Sequence, residues 1–436
     1  MSTARLDISA EDTQVQRTLT HEQIRVMGLA TLGGMLEYYE FVVFIYLTPI
    51  LSKLFFPADM PPWIAQLQVL AIFSLGYFIR PVGGIILAVL GDLFGRKRLF
   101  AVSLILMAVP TFLIGLLPTY AQVGALAPLL LLVCRLFQGL AIGGEIPGAL
   151  VFMSEHLHER RLGVACGLMG SGLAIGGLLA AGIVAIIISL PAQDQISYGW
   201  RLPFILGGIF GLISAYLRRY VRETPVFEEM RRNKEKASTM PLMDLLRFYP
   251  RETLGCFVVS TVPAAIVAGG LLYPVTYLQT FMHIDRHVIH DAAPWASGGL
   301  AIGTFVCGLL VDRFGAVRTI MSVAMCAIVA VYAFYLNVSN SLLTTATYFF
   351  FFGLLIGFQT MLYVVMIRSF PAQVRYTGIA VGYNLAAAII GGLSPVILGA
   401  LAPIVPIAPA HYVAFFALVA IVATPIIWRW RYPLAA

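Results

Sequence analysis

Charged residues, prolines and glycines cut the chain into a succession of long apolar runs, and the loops between them are too short to hold a domain. A run of about 20 apolar residues matches the roughly 30 Å hydrocarbon core of a bilayer when it is helical. In lipid each span must also satisfy its own backbone hydrogen bonds. Runs bounded in this way fall near 24–50, 66–91, 98–117, 124–152, 162–189 and 201–222, and again near 252–282, 291–312, 317–338, 341–369, 373–403 and 407–430. The expected fold is therefore an all-α integral membrane protein of twelve transmembrane helices.

Composition agrees, because only 11% of the 436 residues are charged while 60% are hydrophobic, and a soluble domain carries about a quarter charged residues. Lysine and arginine placement tests the count, since cytoplasmic loops collect them. With both termini inside, alternate loops hold Arg96, Lys97 and Arg98, then Arg160 and Arg161, the run from Arg218 to Arg251, Arg313 and Arg318, and Arg368 and Arg375. The opposite side holds Lys53, Arg201 and Arg286. An odd number of spans would scatter the basic residues to both sides. The same distribution accounts for the net charge of +7 without a nucleic-acid partner.

The polar stretch 223–251 sits midway and reads as a cytoplasmic linker between six-helix bundles at 24–222 and 252–430, with cytoplasmic tails at 1–23 and 431–436. A repeat supports the division. Asp92-Leu93-Phe94-Gly95-Arg96 follows the second run and Asp312-Arg313-Phe314-Gly315 the eighth, 220 positions apart. Two halves of the same handedness, related by an axis along the membrane normal, would place a binding site between them near mid-membrane.

The five cysteines, Cys134, Cys166, Cys256, Cys307 and Cys326, lie in apolar stretches without metal-ligand or disulfide spacing and read as small buried hydrophobes. No nucleotide loop, metal cluster or grouped Ser/His/Asp set marks an enzyme. No metal or cofactor is expected.

The loop Gly91-Asp92-Leu93-Phe94-Gly95-Arg96-Lys97, with its weaker copy at 312–318, resembles the signature of the major facilitator superfamily. A narrower match comes from Glu37-Tyr38-Tyr39-Glu40-Phe41, Arg80-Pro81-Val82-Gly83-Gly84, Arg135-Leu136-Phe137-Gln138-Gly139, Trp200-Arg201-Leu202-Pro203-Phe204, Glu223-Thr224-Pro225-Val226-Phe227 and Gly391-Gly392-Leu393-Ser394-Pro395. Together these are similar to the metabolite:proton symporter branch. The resemblance implies the major facilitator fold, a monomer in the inner membrane, and proton-linked import of small, usually carboxylate-bearing metabolites. The chain departs from the signature at Ala88, where its first glycine stands, at Leu93, and at Glu40, where the branch commonly has Asp.

Five ionisable residues fall well inside the runs: Glu37, Glu40, Arg80, Arg135 and Glu145. Each would cost about 2.5 to 3.5 kcal/mol facing lipid, so they should pair or line a wet cavity. Gly33, Glu37, Glu40 and Phe44 share a helical face, as do Arg135, Gln138 and Ile142 and, less closely, Glu145. An acid on the first span facing Arg135 on the fourth resembles the acid and arginine pair of proton-coupled sugar transporters. Glu37, Glu40 and Arg135 are therefore the proton-coupling candidates. A carboxylate beside an arginine stays ionised, and one that loses this partner in a dry site takes up a proton. No histidine lies in the core of a run, which leaves a carboxylate as proton carrier.

Arg80 and Arg135 suit an anionic substrate through their planar forks, with Tyr38, Gln138 and Glu145 beside them. Tyr273, Tyr277, Gln359, Tyr383 and Asn384 are the neutral binding candidates of the second half. Asp92, Gly95 and Arg96, with Glu155, Asp312 and Arg313, read as a cytoplasmic latch, the charges of the Asp92 loop meeting neighbouring helix ends, Glu155 or the start of span eleven in one state. The favoured function is proton-coupled symport of a di- or tricarboxylate or related organic acid by alternating access. A zwitterionic osmolyte such as proline or betaine, a citrate-type chelate, proton-driven export and a non-transporting sensor stay open.

Overall fold

A computed structural model describes residues 20–232 and 241–432, so most of the expected N-terminal tail and the last four residues lie outside the described part. Among the described residues, twelve helices are long and apolar enough to cross a membrane. They are α1 (His21–Tyr46), α2 (Pro62–Phe94), α3 (Arg96–Leu116), α4 (Leu126–His156), α5 (Glu159–Ile188), α6 (Ala192–Arg218), α7 (Pro250–Thr280), α8 (His287–Phe314), α9 (Ala316–Asn337), α10 (Leu342–Arg368), α11 (Ala372–Leu401) and α12 (Ala408–Trp428). Each matches one apolar run of the sequence. Short helices at Pro225–Arg232 and Pro241–Phe248 lie between α6 and α7.

The two halves meet along α5 with α8 and α2 with α11, and small residues permit the approach. A Cβ on Gly163 would stand 2.4 Å from the backbone oxygen of Gly308, and one on Gly84 would stand 2.3 Å from Asn384 Nδ2. Gly91 and Gly148 hold the ring of Tyr376 between α2 and α4 in the same way. In lipid, where apolar burial does not drive helices together, such small-residue stripes are what lets backbones pack.

Several helices are irregular at mid-depth. α2 is interrupted before Arg80-Pro81, because proline supplies no N–H to the preceding turn. α7 and α11 contain wide turns at Val267–Leu272 and Ala387–Gly391, and α10 a tight one at Gly357–Met361. Backbone of this kind is tolerated at membrane depth only where protein or a cavity covers it, and all three turns contribute walls to one cavity. Cys326 is exposed on α9, against the expectation that all five cysteines are buried.

Candidate functional site

The loops carrying the sequence repeat, and the ends of α4, α5, α10 and α11, lie on one side of the molecule, here termed the loop side. Both repeat loops turn at a glycine with positive φ, Gly95 at 113° and Gly315 at 90°, a conformation that favours glycine. Each turn aims the preceding aspartate at the other half. Asp92 accepts from the backbone N–H and the hydroxyl of Thr377 at 3.0 and 2.8 Å, at the start of α11. Asp312 accepts from the N–H groups of Gly163 and Val164 at 2.7 and 2.9 Å, at the start of α5. Both carboxylates thus sit at helix N-termini, where unpaired N–H groups and the helix dipole favour an anion.

Glu155 completes the seam: buried at the end of α4, it binds Arg96 on one oxygen and Arg375 of the other half on the second at 3.1 Å. Arg96 also donates to the carbonyl of Ala372, and Glu159 pairs with Arg368. Glu223, beyond α6, accepts from the N–H groups of Arg96 and Lys97 at 3.1 and 3.0 Å and so caps α3. Arg313 is exposed over the ring of Phe314 and has no place among these contacts. Deeper in, Tyr376 donates to the Gly144 carbonyl and Asn384 to that of Gly143, and Ser171 donates to that of Ala301.

Above this level the halves part around a cavity of about 330 Å³. On α1 its wall runs from Glu37 to Ile45, and on α7 from Pro263 to Leu272, toward the ends of both helices opposite the loop side. The chain is thus closed on the loop side with its cavity directed to the other.

Among the sequence candidates Glu37, Tyr38, Arg80, Gln359 and Tyr383 line this cavity. Arg80 donates to Glu37 at 3.4 Å and its guanidinium lies 4.8 Å from the centroid of the Tyr77 ring. Glu37 Oε2, Arg80 Nε and Gln359 Oε1 have no hydrogen-bond partner within the protein. Tyr363, Tyr77, Phe41 and Phe73 complete an aromatic wall; Tyr363 meets Tyr383 edge to face at 6.2 Å.

Glu40, Arg135 and Gln138 form a separate cluster inside the first half. Arg135 donates to Gln138 at 2.8 Å, and Gln138 donates to Glu40 at 3.2 Å and to Thr111 at 2.6 Å. Arg135 therefore reaches Glu40 through Gln138, where the sequence suggested direct pairing with an acid. Its guanidinium lies instead against the rings of Phe44 and Phe73, at 3.9 and 4.9 Å from their centroids, and Phe73 lines the cavity. Arg135 is not among the cavity-lining residues, so one arginine rather than the expected two faces the cavity.

Glu145, expected beside the substrate, faces the opposite way and is bound on both oxygens by Arg218, with Ser103 donating at 2.6 Å. Arg218, which the sequence reading put in the linker run, is 1% exposed, lies 3.5 Å from the centroid of Phe100 and donates to the Phe100 carbonyl. Gly33 on α1 makes room for the pair, since a Cβ there would meet both side chains. Tyr277 accepts from the N–H of Ile407 at 2.9 Å and packs on Tyr335 and Phe281; the ring of Tyr273 lies tilted beside it, 6.3 Å between centroids. Asn384 belongs to the seam. These three do not line the cavity.

Sequence reasoning missed Tyr77 and Tyr363. A usable signal existed: Tyr77 lies one turn before Arg80, and Tyr363 one turn after Gln359.

The description of the Major Facilitator Superfamily matches residues 30–395. The chain belongs to the major facilitator superfamily. The proline/betaine transporters of Salmonella typhimurium (strain LT2) and Escherichia coli (strain K12) are each 31% identical to it over 389 residues, covering 85% of this chain and 76% of the relative. The structure of the proton:xylose symporter XylE bound to 6-bromo-6-deoxy-D-glucose superposes with a TM-score of 0.75 at 15% identity, covering 93% of this chain and 95% of the other. This major facilitator protein is accordingly a multi-pass membrane transporter of the inner membrane, and not an enzyme.

Proposed function

We propose that this transporter imports a small zwitterion, with one carboxylate and one ammonium of the proline or betaine kind, together with a proton. The observation that carries the reading is the single ion pair of Glu37 and Arg80 in a cavity walled by Tyr38, Tyr77, Tyr363 and Tyr383. One guanidinium meets one carboxylate bidentately, and aromatic faces attract an alkylated ammonium. A di- or tricarboxylate, the first choice of the sequence, would bring two or three anionic groups to one arginine and one acid. The similarity to proline/betaine transporters points the same way.

Coupling follows from competition for Arg80. A substrate carboxylate that takes the guanidinium leaves Glu37 without its counter-charge in a water-poor site, and Glu37 then binds a proton. By linkage, the proton strengthens substrate binding by the same factor. Glu40, held by Gln138 and Thr111 behind Phe44 and Phe73, stabilises the first half and does not exchange with substrate. The loop side is cytoplasmic because it carries most of the basic residues, so the cavity receives its substrate from outside.

A zwitterion plus one proton carries one net positive charge, and each 100 mV, inside negative, then supplies about 2.3 kcal/mol, close to fiftyfold accumulation. A monoanion with one proton is electroneutral and gains nothing. The test is uptake into liposomes containing a pH dye, at zero and at about −100 mV, with proline, glycine betaine and succinate in turn. Potential-driven uptake of proline or betaine with internal acidification, lost in Glu37→Gln and kept in Glu40→Gln, is expected. Succinate uptake indifferent to potential, or proton-driven transport surviving in Glu37→Gln, would overturn the assignment.

A further inference from the structure

On the outer surface of the second half, α7 and α12 diverge and leave a groove of about 530 Å³. Its walls are apolar: Leu254 and Val258 on α7, and Phe415, Leu418, Val422 and Ile426 on α12. Leu254, Phe415 and Val422 are more than half exposed, so the groove opens to lipid. Phe415 to Ile426 spans about 16 Å of helix, close to the roughly 15 Å of hydrocarbon in one leaflet. The groove therefore has the length of one acyl chain and lies in the loop-side leaflet.

Its loop-side end is cationic. Arg251 lines the groove and lies over Trp430, 3.7 Å from the ring centroid. Tryptophan favours the headgroup level of a bilayer, with one edge apolar and the other wet. Arg247, Arg429 and Arg431 are exposed nearby in sequence. The acids of these segments are half-buried, Glu252 accepting from Tyr432 at 3.4 Å. The adjoining helix Pro241–Phe248 exposes Met243, Leu246 and Phe248 and has the character of a helix lying in the interface plane.

We infer that this groove is a binding site for an anionic glycerophospholipid, its acyl chain between α7 and α12 and its phosphate on Arg251. Charge complementarity selects the headgroup: one arginine at an anionic surface contributes about fivefold in affinity. A zwitterionic lipid, whose ammonium meets further arginines, gains less. The site is separate from the transport cavity, and the inference does not depend on the substrate assigned above.

Trp430 reports on the site directly. The full-length protein is reconstituted in mixed vesicles in which either phosphatidylglycerol or phosphatidylcholine carries brominated chains, and quenching is compared between wild type and Trp430→Phe to isolate this residue. The expected result is a Trp430 component quenched by brominated phosphatidylglycerol as though that lipid were enriched about fivefold over its bulk fraction. Arg251→Gln should abolish the preference, and Arg318→Gln, which removes an exposed charge from the start of α9, should leave it unchanged. Equal quenching by both lipids in wild type, or equal loss in the two variants, would overturn the site. Absence of Trp430 quenching by either lipid would also overturn it, because a second copy of the chain would then cover the groove.

Discussion

Removing Arg218 tests whether Glu145 serves the bundle or the substrate. In Arg218→Met the carboxylate of Glu145, 1% exposed, keeps only the Ser103 hydroxyl at 2.6 Å and loses the donors that hold both its oxygens. Leaving one member of a buried ion pair alone costs about 3 to 5 kcal/mol. For a bundle of about 200 residues, each kcal/mol shifts the melting temperature by roughly 2 to 4 °C, so a fall of about 10 °C is expected. The double variant Arg218→Met with Glu145→Met replaces both charges by apolar chains of similar length and should recover most of that loss, because the desolvation penalty disappears with the attraction. Thermal unfolding in detergent, followed by tryptophan fluorescence, measures all three proteins. A double variant no more stable than the single would refute the pairing argument. Independently, Glu145→Gln should leave the transport KM unchanged, and a tenfold rise without a loss of stability would return Glu145 to the binding site.

Cys166 is fully buried on α5, one turn from Gly163 at the seam, and its alkylation reports opening of the loop side. Gly163→Ala, whose Cβ would meet the Gly308 carbonyl, should raise the site-specific alkylation rate about five- to hundredfold, since overpacking of this kind costs about 1 to 3 kcal/mol. Thr377→Val removes one of the two bonds to Asp92 and should shift the same rate about tenfold; no change in either variant would mean that these contacts do not hold the seam. Gln359→Leu should raise the substrate KM about tenfold at unchanged thermal stability, because its Oε1 serves no partner within the protein; a loss of stability instead would show a structural role.

The spans were legible in the sequence because lipid imposes one rule on every surface residue, and charged residues could mark only ends or interior positions. The repeated loops were legible for a related reason: Asp92 and Asp312 stand in equivalent positions before glycines that turn the chain, although the sequence named no partner for Asp312. Partnership inside the bundle was not. Spacing on one helix places Arg135 and Gln138 on one face, but whether Glu37 or Glu40 meets them depends on the rotation of α1, which the sequence does not carry. Arg218 was hidden by its neighbour Arg219, since two basic residues closing an apolar run look like a loop boundary, and only burial separates them. The wide turns of α7 and α11 were invisible because Ala, Gly, Leu and Ile also make regular helix, and it is the cavity that relieves them of it.

The placement of charge fits the proposed import, in which the two halves rock on one another. The Glu145–Arg218 pair and the Glu40, Gln138 and Arg135 cluster lie wholly within the first half, so rocking of one half on the other leaves them whole, and no charge is presented to lipid at about 2.5 to 3.5 kcal/mol. Contacts that bridge the halves, Asp92 with Thr377, Glu155 with Arg375, and Asp312 with the start of α5, sit at the loop-side end. Opening admits water there, and exchanging such bonds for water costs about 0.5 to 1.5 kcal/mol for a neutral pair and somewhat more for a charged one. Glu37 and Arg80 are the pair set at mid-depth and yet on the cavity wall. Their separation there would be as costly as that of the sealed pairs unless something charged arrived to replace one partner, and in the import proposed above that part falls to substrate and proton.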